Sequence, residues 1–247
     1  MSGHSKWNNI KRKKEAADAK KGAIFTKIGR EIAVAVREGG ADPDSNRKLK
    51  DLIAKAKSNN MPNDNIQRSI QRAAGGQDGA NFEEITYEGY GPSGTAILVR
   101  CLSDNRNRTA GDVRHLFDRR GGNLGTTGCV SFMFNARSRI YVVADEADED
   151  QLMMDALEAG AEDVKNDGEN EDGETIFEID AAPDVFTELR DALEAASYQI
   201  IEAEVVQVPD TYVQVDEESR LKIESLIESL EDHDDVQAVY HNMDEAD

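Results

Sequence analysis

The sequence predicts an α+β protein built from several small domains, on three observations. Apolar residues recur at helical spacing through the first third of the 247-residue chain, and apolar, β-branched runs with turn signals follow. A strand–helix–strand pattern then occurs twice in the last part of the chain. Hydrophobic residues make up 38% and charged residues 32%, which suits several small domains with much surface rather than one thick core.

The first predicted domain, residues 1–78, is helical. Its first helix should end at Gly39, and Asp42 looks like the N-cap of a second helix with Pro43 as its first residue. A third helix follows Pro62, and the glycine-rich segment 75–81 is interpreted as a linker. The apolar faces of the three helices are formed by Ile24, Phe25, Ile28, Ile32 and Val36, by Leu49, Leu52, Ile53 and Ala56, and by Ile66, Ile70 and Ala73.

The pattern then changes to strands. Residues 85–90 and 95–102 predict two strands, and the glycine- and proline-rich residues 91–94 predict a hairpin turn between them. The run 89–94 also matches G-x-G-x-x-G, but a second strand rather than a helix follows it, so a turn is favoured over a dinucleotide site. A helix over 109–119, capped by Asn107 or Thr109, and a strand over 129–134 complete this part.

Residues 137–210 predict a ferredoxin-like domain. The run 155–160 reappears almost unchanged at 191–196, each time on an amphipathic helix between two strands, and two such units make the split βαβ arrangement. A chance match between Ala- and Glu-rich helices is the alternative, and the matching flanks favour a repeat. The tail predicts one helix and one strand, which cannot bury a core alone. We therefore expect them to complete a discontinuous middle domain, residues 79–136 and 211–247, into which 137–210 are inserted.

Charge is strongly segregated along the chain. The net charge is +8 in residues 1–80, +2 in 81–139 and −31 in 140–247. A polyanion can approach only the basic side, because the acidic half repels it. This asymmetry predicts a nucleic-acid partner, bound by one end of the molecule.

Motifs for catalysis or metal binding are absent from the sequence. The histidines have no metal-ligand spacing, and no nucleophile or phosphate-loop motif occurs. The run 163–174 approaches a calcium loop, but Lys165 stands where an oxygen ligand is needed, so an acidic turn is favoured. The sequence has no membrane-length apolar run and no secretory signal, and Cys101 and Cys129 fit buried, reduced thiols. We expect a cytoplasmic, non-enzymatic protein without cofactor, metal or small-molecule substrate.

Two basic stretches contain the candidate nucleic-acid-binding residues. Lys and Arg neutralise phosphates, and the single tryptophan could stack on a base or cap the helical core. The alternatives are a solvated basic face for the first stretch, and helix capping with ordinary surface arginines for the second. The first comprises Lys6, Trp7, Lys11, Arg12, Lys13, Lys14, Lys20, Lys21, Lys27 and Arg30, and the second comprises Arg106, Arg108, Arg114, Arg119 and Arg120.

Several blocks of the sequence together resemble the YebC/PmpR family. They are residues 3–7 (GHSKW), 19–27 (AKKGAIFTK), 58–62 (SNNMP), 87–92 (YEGYGP), 102–109, 121–125 (GGNLG) and 234–242 (DDVQAVYHN). The resemblance covers essentially the whole chain and implies a helical N-terminal domain followed by two ferredoxin-like domains. It also implies a cytoplasmic, non-enzymatic protein, labelled a probable DNA-binding transcriptional regulatory protein. Mitochondrial relatives are translational activators of cytochrome c oxidase, and some bacterial members are linked to stalled ribosomes.

Three functions remain open at this point. The first is a nucleic-acid-binding regulator of gene expression, labelled a DNA-binding transcriptional regulator by the resemblance. The second is a ribosome-associated translation factor that binds ribosomal RNA and relieves stalling, since the lysine-rich arm suits backbone contact and no clear recognition helix is evident. An atypical helix-turn-helix around Met61-Pro62 would instead favour DNA. The third is an acidic adaptor that binds a protein.

Overall fold

The computed structural model describes residues 21–76, 81–145, 148–170 and 173–244. Three helices come first: α1 (Lys21–Gly39), α2 (Arg47–Ser58) and α3 (Asn63–Ala74). Each turns one apolar face toward the others, as the sequence spacing predicts. Their shared core contains Ile28, Ile32, Ala35, Val36, Leu49, Ala56, Met61, Ile66 and Ile70.

The predicted α+β class is confirmed by the elements that follow. In chain order they are β1 (Glu83–Tyr90), β2 (Ala96–Ser103), α4 (Arg106–Arg119), β3 (Asn123–Leu124), β4 (Phe134–Val143), α5 (Glu149–Glu158), β5 (Ala161–Glu169), β6 (Thr175–Ala181), α6 (Phe186–Ala195), β7 (Gln199–Pro209), α7 (Glu217–Glu231) and β8 (Val236–His241). They form two four-stranded sheets, ordered β3-β1-β2-β8 and β5-β6-β4-β7. Neighbouring strands in both sheets are antiparallel.

The last strand of the chain pairs with β2 of the first sheet. The tail therefore completes the middle domain, and β4 to β7 are inserted within it, as the sequence predicts. Helices α4 and α7 pack against one face of this sheet, because both contribute to the same core. That core contains Ile85, Ile97, Val99, Cys101, Val113, Phe117, Leu226, Leu230 and Val236.

The inserted sheet has the ferredoxin-like strand order. The chain runs β4-α5-β5-β6-α6-β7, which is strand–helix–strand written twice. Both helices pack on one face, where Leu152 of α5 and Leu189 of α6 share a core with Ile140 and Phe177. The strand that follows the first of these helices is β5, which is nine residues long. The repeat seen in the sequence therefore corresponds to a structural repeat.

The predicted start of α2 is wrong. Asp42-Pro43 belong to a turn, and Asn46 is the N-cap. The Asn46 side-chain oxygen accepts from the Leu49 N–H at 3.1 Å, and its amide nitrogen donates to the Ala35 and Gly40 carbonyls at 2.8 and 2.7 Å. One buried amide thus starts α2 and holds the end of α1, which Asp42 cannot do because a carboxylate only accepts.

The predicted cap of α4 is also wrong. The helix begins at Arg106, and the Asn105 side chain caps it by accepting from the Arg108 N–H at 3.1 Å. Asn107 lies within the first turn. Thr109 lies in the helix interior, where its hydroxyl is fully buried and hydrogen-bonded.

The strand predicted over 129–134 is wrong as well. Residues 131–133 form a short 3₁₀ turn, and the strand begins at Phe134. The N–H groups of Gly128, Val130 and Ser131 donate to the buried Glu88 carboxylate instead of to a neighbouring strand. This apolar segment is therefore a loop whose backbone surrounds the Glu88 carboxylate.

The described residues form two compact units. Residues 134–210 make up one, and residues 21–133 with 211–244 make up the other. The helices α1 to α3 thus lie in the same unit as the middle domain. Cys101 is buried and Cys129 is half-buried, and both are free thiols. Among the helices of the described ranges, none is long and apolar enough to cross a membrane.

The contacts of Asn46 predict a large loss of stability for Asn46→Ala. The change removes the cap and leaves the Ala35 and Gly40 carbonyls without their donor, so the free energy of unfolding should fall by about 2–4 kcal/mol. Urea unfolding followed by circular dichroism measures this. Gln67→Ala, at an exposed position of α3, is the control, and an equally small loss in both variants would contradict the role of Asn46.

Candidate nucleic-acid interface

Most of the predicted N-terminal arm lies outside the described residues. This applies to Lys6, Trp7, Lys11, Arg12, Lys13, Lys14 and Lys20. Their binding role stays a prediction. Lys21 is the first residue of α1.

Two predicted binding residues on α1 have partners within the protein. The Lys27 ammonium donates to the Glu231 carbonyl at 2.6 Å. Burial lowers the pKa of Lys27, and the nearby carboxylate of Glu231 raises it in part. The Arg30 guanidinium donates to the Asp235 carboxylate at 2.5 Å and to the Asp234 carbonyl at 2.7 Å. Both side chains therefore fasten α1 to the end of α7 and the start of β8.

Asp235 is the centre of this junction. Its side chain is 2% exposed and accepts hydrogen bonds from four side chains: Thr109 at 2.6 Å, Arg108 at 2.9 Å, Ser103 at 3.0 Å and Arg30. Burial raises the pKa of Asp235, but these four donors lower it well below its usual range. The carboxylate is therefore ionised at neutral pH and joins α1, α4, β2 and β8.

An open groove of about 390 Å³ runs between α1 and α3. Arg30, Arg68 and Arg72 line it, and its lining contains no aspartate or glutamate. We call this groove, defined by Arg30, Arg68 and Arg72, the arginine groove. The aromatic rings at the groove are Phe25 and Phe82.

Contacts within the arginine groove hold two of its three guanidinium groups. Arg30 lies over the Phe82 ring, 5.4 Å from its centroid. The Arg68 guanidinium donates to the Asn65 side-chain oxygen at 2.6 Å. Arg68 and Arg72 are both exposed, so each has donors that face solvent. Guanidinium groups arranged in this way suit phosphate oxygens, which they bind through paired, charge-assisted hydrogen bonds.

A second groove in the same unit has mixed charge. It encloses about 210 Å³ and is lined by Glu31 and Glu84 as well as Lys48 and Arg100. Carboxylates of this kind repel phosphates, so this groove does not favour a polyanion. No group of residues within the described ranges has the side chains to hold a metal ion.

The predicted arginines of α4 fall into two classes. Arg108 is bound to Asp104 and Asp235, and Arg120 donates to the Ser229 hydroxyl at 3.2 Å. The remaining three, Arg106, Arg114 and Arg119, have exposed side chains. The structure thus leaves these three able to reach an outside partner, and their role stays a prediction.

Arg68 and Arg72 line the groove but do not stand out as binding residues in the sequence. Their i,i+4 spacing places them on one face of α3, which was the available signal. This spacing also occurs on the polar face of ordinary surface helices. Arg68 and Arg72 become a candidate site only because Arg30 of α1 lines the same groove.

Two family models match the chain. The TACO1/YebC protein N-terminal domain matches residues 5–76, and the TACO1/YebC second and third domain matches residues 82–243. The chain belongs to the TACO1/YebC family. The resemblance found in the sequence is thereby confirmed.

Similar proteins cover this member of the TACO1/YebC family almost end to end. A protein of Ruminiclostridium cellulolyticum is 58% identical over 99% of this chain and 97% of its own length, and one of Acetivibrio thermocellus is 56% identical over 98% of each. Both are named probable transcriptional regulatory protein. The crystal structure of a conserved hypothetical protein, Aq1575 from Aquifex aeolicus, matches with a TM-score of 0.80 and 42% identity over 92% of each chain.

The Asp235 junction predicts a pH-dependent loss of stability in Asp235→Asn. The variant leaves Arg30 and Arg108 without their anion, so the free energy of unfolding at pH 7 should fall by about 3 kcal/mol. The folded-state pKa of Asp235 is depressed, so its stabilisation is present above the unfolded-state pKa of about 4 and is lost as the pH falls toward the folded-state value.

Urea unfolding at a series of pH values measures this dependence. The gap between wild type and Asp235→Asn should be constant near neutrality and shrink below about pH 4. Asp44→Asn, at an exposed position, controls for the removal of one charge. A gap that stays constant down to the lowest pH would contradict the assignment of the pH dependence to Asp235.

Proposed function

We propose that this protein is a non-enzymatic regulator of gene expression that acts in the cytoplasm by binding nucleic acid. The observation that carries the proposal is the arginine groove, where Arg30, Arg68 and Arg72 converge without a carboxylate in the lining. Such a surface matches the charge and the hydrogen-bonding pattern of a phosphate backbone.

The charge of the surrounding helices supports this proposal. Residues 21–76 contain eleven Lys and Arg against six Asp and Glu, whereas residues 140–210 of the inserted domain have a net charge of −21. The three helices therefore attract a nucleic acid, and the inserted domain repels it. The residues that precede α1 in the sequence add further positive charge to this N-terminal part of the chain.

The connection of α2 and α3 supports DNA as the nucleic acid. The two helices are joined by the short turn 59–62, in which Asn60 has a φ of +57°, and a turn of this length is typical of helix-turn-helix pairs. The exposed side chains of α3 include Gln67, Arg68, Gln71 and Arg72. These are the side-chain types that bind base edges and phosphates.

The arginine groove predicts a specific loss of binding in a double variant of α3. Arg68→Ala with Arg72→Ala should weaken nucleic-acid binding at least about tenfold, because two charge-assisted contacts to phosphate are lost. The slope of log K against log salt should become shallower by about 2. Fluorescence anisotropy with labelled duplex DNA over a salt series measures both quantities.

A matched control removes the same charge from α2. Lys50→Ala with Lys57→Ala changes two exposed lysines outside the groove and should have the smaller effect. Equal losses of affinity in the two double variants would show that binding depends on net charge alone and would contradict a specific role of the arginine groove. Tighter binding of structured ribosomal RNA than of DNA by the wild type, with the same dependence on Arg68 and Arg72, would move the target to the ribosome.

A further inference from the structure

A loop between β3 and β4 exposes an aromatic side chain. Phe132 is 73% exposed, more than any other large hydrophobic residue of the described ranges. Two other phenylalanines of the chain, Phe117 and Phe177, are fully buried. An exposed ring of this size is unfavourable in water, so its position is unusual.

The backbone that carries Phe132 is held by a buried charge. The Glu88 carboxylate accepts from the N–H groups of Gly128, Val130 and Ser131 at 2.7, 2.8 and 2.7 Å. Burial raises the pKa of Glu88, but the three backbone donors lower it, and the net result lies below the usual value. Glu88 is therefore charged at neutral pH and fixes the residues immediately before Phe132.

Further contacts secure the other part of the loop. The Gly125 N–H donates to the Glu88 carbonyl at 2.8 Å, and the Tyr90 hydroxyl donates to the Cys129 carbonyl at 2.9 Å. A Cβ on Gly125 would lie 2.5 Å from the Cys129 sulfur, so a larger residue here would displace the Cys129 side chain. Because the loop is already ordered, binding through Phe132 requires little further loss of conformational entropy.

The sequence around the loop carries no negative charge of its own. Residues 119–144 contain no aspartate or glutamate, although the chain has 50 of them, and this is the longest such stretch in the chain. Glu88 is buried and its charge is balanced by the backbone donors. A polyanion that approaches the ring therefore meets no carboxylate on this loop.

We propose that Phe132 is a stacking platform for an unpaired base of the bound nucleic acid. This inference rests on the proposed function and narrows its target to DNA or RNA with at least one base outside a duplex. The exposed face of a phenylalanine ring can stack on any base, so this contact does not depend on the nucleic-acid sequence. The ordered, acid-free loop keeps this ring available for such a base.

Substitutions of Phe132 test the proposal by separating stacking from simple apolar contact. Phe132→Ala and Phe132→Leu should each weaken the binding of labelled oligouridine and oligodeoxythymidine by about 5- to 150-fold, the range expected for one stacked base. Phe132→Trp should retain the affinity, because it keeps an aromatic face. Binding of a fully paired DNA duplex should not change in any of the three variants.

Leu221→Ala, at an exposed apolar position of α7, is the matched control and should leave all affinities unchanged. Urea midpoints equal to wild type show that the variants are folded.

Unchanged single-strand binding by Phe132→Ala overturns the inference, and so does full binding by Phe132→Leu, which would indicate an apolar contact instead. If the wild type binds no probe, the proposed function itself fails. The relative affinities for oligouridine and oligodeoxythymidine decide between RNA and DNA.

Discussion

The hydrogen bonds to the buried Asp235 carboxylate determine how the helical region is attached to the middle domain. Its four donors come from α1, from β2 and from the first turns of α4, so three separated parts of the chain meet at one charge. A buried ion is unfavourable unless it is fully paired. Two guanidinium groups and two hydroxyls meet this requirement, and loss of any one leaves the others around a poorly satisfied charge.

The candidate interface depends on the same charge. Arg30 contacts Asp235 and also lines the arginine groove, where its guanidinium covers the Phe82 ring. Packing of α1 on α3 in their shared core brings Arg30 beside Arg68 and Arg72, and Asp235 holds the Arg30 side chain from outside the helical bundle. Arg30 therefore has two roles. It pairs with Asp235 inside the protein, and it lines the groove proposed to bind phosphate.

A second buried carboxylate, Glu88, organises a loop by a different set of donors. Asp235 is satisfied by side chains from distant elements, whereas Glu88 is satisfied mainly by backbone N–H groups of one segment. The first arrangement joins domains and the second shapes a loop. In a chain with 50 acidic residues, three carboxylates of the described ranges, those of Glu88, Glu178 and Asp235, are buried, and sequence context does not single them out.

The sequence predicted the class, the succession of elements and the insertion, because these follow from local periodicity and from a repeat. The four-residue spacing of Ile28 and Ile32, about one helical turn, and the run repeated at 155–160 and 191–196 both match contacts in the folded core. The helix caps were wrong where a long-range contact decides: Asn46 displaces Asp42 because it also bonds α1. The composition of residues 129–133 favours a strand because it does not reveal that the distant Glu88 carboxylate binds the N–H groups of this segment. The sequence does not single out Arg68 and Arg72, because the groove exists only where α1 packs beside α3.

Chemical modification of arginines in the full chain, with and without bound nucleic acid, tests directly whether the arginine groove is the nucleic-acid interface. Phenylglyoxal reacts with accessible guanidinium groups, and mass spectrometry reports the rate at each residue. Nucleic acid should protect Arg68 and Arg72, which are exposed in the free protein. Unchanged modification of both residues in a complex whose formation is verified independently would show that the arginine groove is not the interface.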